Sequence, residues 1–148
     1  MIKTSGKLRY CSGYRYRVEE PFWVQTEFIN EAGQIKSGER VLAERKPDGA
    51  IWVYPGFAWN GPGSSSRFDP VPDTKNFMRG SAIHDAWYQA ISEGKEQPGR
   101  RDVADKFLAA MCRHDGMGWL ATRLVLRGVR LLGESHAERR NREVLTAP

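Results

Sequence analysis

Residues 74–114 read TKNFMRGSAIHDAWYQAISEGKEQPGRRDVADKFLAAMCRH. Two helix-length segments flank a short break holding Gly94, Pro98 and Gly99. The first is predicted to run from a cap at Asp73 or Thr74 to about Glu93, where Gly94 ends it. The second opens after Pro98-Gly99, spans roughly 100–113 and ends near Gly116. So short a connection makes the two helices antiparallel neighbours. At about 100° per residue, Phe77, Gly80, His84, Trp87, Tyr88 and Ile91 share one side of the first helix. His84 therefore lies on the inward stripe. Tyr88 follows it by one turn, and Asp85 lies about a quarter turn away. On the second helix Val103, Phe107, Ala110 and Met111 mark the buried side. Asp105 sits at its flank, placed to reach His84, whereas Asp102 points nearly opposite, to water. An inward histidine beside a carboxylate is the pairing that general-base chemistry needs, because the carboxylate sets the tautomer and stabilises the imidazolium. The same pairing also serves as a satisfied polar contact inside a core. Spacing by itself leaves both open.

Outward from this pair, a third helix is expected from about Met117 to Leu132, stopped by Gly133, with a polar tail from Glu134. The preceding half reads as β. Residues 14–19 (YRYRVE) and 22–28 (FWVQTEF) are rich in aromatic and β-branched types, and Pro21 separates them. Residues 41–45 and 50–54 flank Pro47-Asp48-Gly49, a turn in which proline presets φ and glycine accepts positive φ, so a hairpin is expected there. Residues 55–73 are dominated by Gly, Pro and Ser and read as loop, long enough to suggest a functional one. The expected architecture is α+β in a single domain, 1–148. A small N-terminal antiparallel sheet of hairpins (β-rich 10–58, loop 55–73) precedes a three-helix half (74–133) containing the antiparallel His/Asp helix pair, and a polar tail (134–148) follows.

The chain has 148 residues, a formal net charge of +5 and two cysteines. That length suits one domain with a real core. The charge favours anionic surfaces without choosing among them. No apolar run reaches the length of a membrane span. The opening MIKTSGKLRYCSG lacks the apolar core of a signal peptide, which makes a cytosolic start the default expectation and leaves export by another route open. Cys11 and Cys112 make no disulfide framework. Three histidines and two scattered cysteines show no zinc-ligand spacing. His114-Asp115 falls at a helix end and reads as a cap or solvated pair. Ser64, Ser65 and Ser66 lack the flanks of a nucleophile elbow. On the third helix Arg123, Arg127 and Arg130 form a basic stripe at i, i+4 and i+7. It is either the solvated face of a packed helix or a surface for anionic lipid, a membrane or an acidic partner. Nucleic-acid binding is the weaker expectation, since no aromatic interleaving accompanies the stripe.

HDAWY (84–88) followed by RRDVADKFLAAM (100–111) resembles the active-site helix pair of the secreted phospholipase A2 superfamily, in particular its small bacterial and fungal branch. The resemblance implies His84 as the general base that activates water, Asp85 as a calcium ligand, Asp105 as the group orienting His84, and Tyr88 as its support. In that family a glycine-rich loop ahead of the first helix gives backbone carbonyls to calcium, and Trp59-Asn60-Gly61-Pro62-Gly63 is similar in kind and position. Asn60, Gly61 and Gly63 are the implied further ligands. The stapling cysteines of the secreted enzymes are missing, and Asn60 brings a neutral amide oxygen in place of a carboxylate.

A hairpin followed by Gly56-Phe57-Ala58-Trp59-Asn60-Gly61, then the His84–Tyr88 motif and the helix holding Arg101, Ala104-Asp105, Phe107 and Met111, is also similar to a group of phage and prophage proteins. This second match covers the chain from about Tyr14 to Gly133 and brings no assigned function. Two functions are therefore expected. One is a phage-encoded, calcium-assisted ester hydrolase acting in the host cytoplasm. The other is a non-catalytic virion or lysis accessory protein, in contact with other virion proteins, that keeps the helix pair for folding.

Overall fold

The structure, a computed structural model, describes residues 1–4, 10–11, 16–27, 29, 31–59 and 75–139. Among these described residues, eight strands precede three helices: β1 (Lys3–Thr4), β2 (Tyr10–Cys11), β3 (Tyr16–Val18), β4 (Phe22–Gln25), β5 (Gly33–Ser37), β6 (Arg40–Arg45), β7 (Ala50–Val53), β8 (Ala58–Trp59), a 3-10 turn at Lys75–Phe77, α1 (Met78–Ser92), α2 (Arg100–His114) and α3 (Trp119–Arg139). The α+β architecture expected from the sequence is present, with antiparallel strands first and the helical half after. Among the described residues no helix is long and apolar enough to cross a membrane.

One sheet has the order β1-β4-β7-β6-β5 and a smaller one the order β2-β3-β8. The predicted hairpin is β6–β7, with Ala43 opposite Val53 and Arg45 opposite Ile51. Its turn works as the residue types require: Gly49 has φ 82°, and Asp48 Oδ1 accepts from the Ala50 amide at 3.0 Å. One expectation needs correction. Ala58–Trp59, read as part of the 55–73 loop, is a strand paired with Tyr16 and Arg17. Gly33–Ser37, which has no aromatic or β-branched run, is the edge strand β5, held by pairing with β6 and by burial of Ile35. Alternation along β4 and β7 points Phe22, Val24, Ile51 and Val53 inward and leaves Trp23 and Trp52 on the outer face.

Helix α1 lies between β5, β6 and β8 on one side and α2 on the other. It is therefore buried on two faces, and Ala82, Ile83, Ala86 and Ala90 join the inward stripe drawn from the sequence. Ile91, placed on that stripe, is only half-buried. Gly94 has φ 68° and Gly116 φ 97°, so both helix stops fall as expected. The expected caps Asp73 and Thr74 lie outside the described residues. Helix α3 runs on to Arg139 past the predicted stop at Gly133. Glycine costs a helix only about 1 kcal/mol relative to alanine, and helix-compatible residues follow it.

Close approach of the helix pair rests on Gly80. A Cβ there would lie 2.9 Å from Leu108 Cδ1 and 3.1 Å from Met111 Cβ. Gly80→Ala should gain up to ~1 kcal/mol in helix propensity and lose about 1–3 kcal/mol to overpacking. The expected net result is a loss near 1 kcal/mol in urea unfolding. A gain would mean that α2 yields freely. Two further ties bind the helices to the sheet. Arg45 Nη2 meets Glu96 at 2.9 Å in a buried ion pair, and Gln89, Ser37 and Glu93 form a hydrogen-bonded chain from α1 to the β5–β6 turn.

Candidate active site

The helix pair brings His84, Tyr88 and Asp105 together inside the protein. Asp105 Oδ1 is 2.9 Å from His84 Nε2 and accepts the Tyr88 hydroxyl at 2.7 Å. The His84 and Tyr88 rings lie 4.2 Å apart, as one helical turn dictates. Side chains of His84 and Asp105 are 7% and 4% exposed, whereas that of Asp85 is 31% exposed. A carboxylate can only accept, so its partners must both donate, which puts a proton on His84 Nε2. The other ring nitrogen, Nδ1, points toward Asp85, whose Oδ1 stands 3.4 Å away. The ring is thus clamped at its inner end and faces the more open side with Nδ1.

Burial works against a charged His84, but hydrogen bonds to Asp105 and Asp85 outweigh it and hold the imidazole above its ordinary value of 6.5. Burial, reinforced by Asp105, pushes the Tyr88 hydroxyl up to about 12, so it stays a phenol and a donor. The raised imidazole has a sign for stability. A group that binds its proton more tightly when folded stabilises fully below its unfolded value and loses that stabilisation as pH rises through the folded one. In chelator, the melting temperature should therefore fall as pH rises above about 6.5. His84→Gln should remove this component of the slope. Equal slopes in both proteins between about pH 5 and 8 would assign the dependence to other groups.

Arg101 was given no role from the sequence, yet its guanidinium lies 5.6 Å from the Tyr88 ring centroid. Its position one turn before Asp105 was the signal that it shares that face. Trp59 was likewise read as part of a loop. It stacks on Phe57, and its indole N–H donates to Ser81 Oγ at 3.0 Å, one turn before His84. The described part of the 55–73 segment thus ends anchored on α1. Asn60, Gly61 and Gly63, the implied loop ligands, and Ser64–Ser66 lie outside the described residues. Among the described residues no cluster of three or more His, Cys, Asp or Glu is arranged for a metal.

Asp102 is exposed as expected and pairs with Lys106 and Arg130. Asp115, at the helix end, is more than a solvated cap: both its oxygens engage Arg79, and Oδ1 meets His114 Nδ1 at 3.0 Å. Cys112 is a buried free thiol. A cleft of about 260 Å³, lined by Ser37, Arg40, Leu42, Phe57 and Gln89, opens one helical turn beyond Asp85.

Fold and site together define an α+β protein with a buried His–Asp–Tyr relay across an antiparallel helix pair. No family model, curated protein or solved structure matches the chain.

Proposed function

We propose that this protein is an ester hydrolase of phospholipase A2 type. The observation that carries the proposal is the double hydrogen bond at Asp105, which takes His84 Nε2–H and leaves Nδ1 on the more open side to accept a proton. A water held at Nδ1 gives its proton to the ring, and the resulting hydroxide attacks the ester carbonyl carbon. The imidazolium then returns that proton to the departing alkoxide, leaving a carboxylic acid and an alcohol. Asp105 stabilises the imidazolium, and Tyr88 holds the carboxylate in place.

Calcium fits this site in one respect. Asp85 offers a partly exposed carboxylate that, among the described residues, has no Lys or Arg ion pair. Asp85, with oxygens of Asn60, Gly61 and Gly63, would hold the ion, which when bound supplies charge to stabilise the oxyanion. Calcium binding to the folded state should raise the melting temperature by mass action, and Asp85→Asn should abolish the rise. An unchanged melting curve at millimolar calcium would count against the metal.

The second reading is a non-catalytic phage accessory protein in the virion or host cytoplasm. It is favoured by the burial of the network, in which Asp105 takes both the His84 Nε2–H and the Tyr88 hydroxyl, a pairing that satisfies polar groups in a core without any turnover. Hydrolysis of short-chain and phospholipid esters, with and without chelator, separates the two. Chelator-sensitive turnover supports the enzyme, and no turnover under either condition supports the accessory role.

A further inference from the structure

Helix α3 presents an apolar face that stays exposed among the described residues. Trp119, Leu120, Leu124 and Leu131 are 59%, 60%, 50% and 79% exposed. Its opposite face is the buried one, with Thr122 buried there and Val125 packed in the small cluster of Phe77, Leu108, Cys112 and Met117. On a helical wheel the four exposed apolar residues flank Arg123 and Arg127, both exposed, and Arg123 lies 5.8 Å over the Trp119 ring. Arg130, the third arginine of the stripe, reaches to Asp102 on α2. Residues 116–133, which hold all four exposed apolar residues and the three arginines, contain no Asp or Glu; the acids of the helix, Glu134 and Glu138, follow in its last turns.

We infer that this face of α3 docks on an anionic membrane surface. Its chemistry discriminates among occupants. A second copy paired two-fold about the centre of the apolar patch, near Leu124, would set Arg123 and Arg127 against the same arginines of its partner. Nucleic acid would meet the arginines but leave three leucines against phosphates and water, with no Asn, Gln or Ser on the face to read a base edge. An anionic bilayer satisfies both sets at once. Trp and Leu enter the boundary between headgroups and acyl chains, and the arginines extend to the phosphates. The inference stands apart from hydrolysis, because binding at this face requires nothing of His84.

The test is co-sedimentation with vesicles of ether-linked lipids, which contain no ester to cleave. One set is half phosphatidylglycerol and half phosphatidylcholine, the other phosphatidylcholine alone. The wild-type chain and His84→Gln should both bind the anionic vesicles, lose binding in high salt and bind the zwitterionic ones weakly. Each basic residue near such a surface is worth about fivefold, so Arg123→Gln with Arg127→Gln should weaken binding on the order of 30-fold. Trp119→Ala with Leu124→Ser should weaken it by at least about tenfold, since each removes apolar area that the bilayer would cover. All four positions are exposed, and circular dichroism checks that the variants fold. Three results overturn the inference: equal binding to both vesicle types or to neither; loss with the arginine variants but indifference to Trp119 and Leu124, which describes a polyanion site; or a wild-type dimer that Leu124→Ser dissociates.

Discussion

His84→Gln should lower ester hydrolysis by about two to four orders of magnitude while the protein stays folded, since proton transfer by a positioned base is worth about that much. Glutamine keeps a polar group of similar reach toward Asp105, but it cannot take a proton from water. Asp105→Asn should fall into the same range and add little to His84→Gln, because the two act as a unit on one proton. An amide in place of the carboxylate can still accept from one neighbour, yet it no longer stabilises the imidazolium. Tyr88→Phe should cost less, as it removes one of the two hydrogen bonds to Asp105 and leaves the ring clamp intact. Asp102→Asn is the internal control: its carboxylate is exposed and faces Lys106 and Arg130, away from the relay. If no hydrolysis exists to lose, His84→Gln should still leave the buried carboxylate poorly paired, at about 1–3 kcal/mol of stability. An active hydrolase indifferent to His84 would sink the proposed mechanism.

Trp87→Ala should be the most damaging single truncation of the core, at about 3–5 kcal/mol. Trp87 is fully buried. Its ring meets Phe107 of α2 edge-on at 5.9 Å, and the Arg45 guanidinium lies 6.0 Å over it. One side chain thus joins the helix pair to the sheet at the point where Arg45 and Glu96 form their buried ion pair. Removal opens a cavity and takes the aromatic face away from a buried cation at the same time. A domain of this size holds roughly 5–15 kcal/mol in all, so the loss is a large part of the total. The melting temperature should drop by roughly 10–15 °C, and the urea midpoint should fall in proportion. A shift below about 1 kcal/mol would mean that the site collapses to fill the space. Because Arg45 and Trp87 touch, Arg45→Met combined with Trp87→Ala should be non-additive.

The turn Pro47-Asp48-Gly49 was legible because its chemistry is local: proline, an Asx hydrogen bond and a positive-φ glycine act within a few residues. Helix stops at Gly94 and Gly116 were legible for the same reason. Strands β5 and β8 were not. A segment such as GQIKS or AW has too little side-chain signal to form a strand alone, and both are strands because a partner is offered at the right register. Gly133 gave a false stop, since glycine permits a helix end without compelling one.

The helix pair and its relay were written in the sequence to an unusual depth. Helical period placed His84 and Tyr88 one turn apart on an inward face, a short connection forced Asp105 opposite them, and the same wheel turned Asp102 to water. These inferences hold because helix geometry and a tight antiparallel hairpin leave little freedom. Three things were decided only by tertiary structure. The second buried face of α1 exists because the sheet covers the side that a single amphipathic stripe would leave wet. Orientation of the His84 ring, Nε2 inward and Nδ1 toward Asp85, follows from the actual separation of α1 and α2, set in part by Gly80 against Leu108 and Met111. Exposure of Trp119, Leu120, Leu124 and Leu131 on α3 runs against their hydrophobicity, because α1 packs between α2 and the sheet and only one narrow side of α3 meets the helix pair. Periodicity reports which residues share a face. Which faces are covered depends on how many neighbours the fold supplies, and that is a property of the assembled chain.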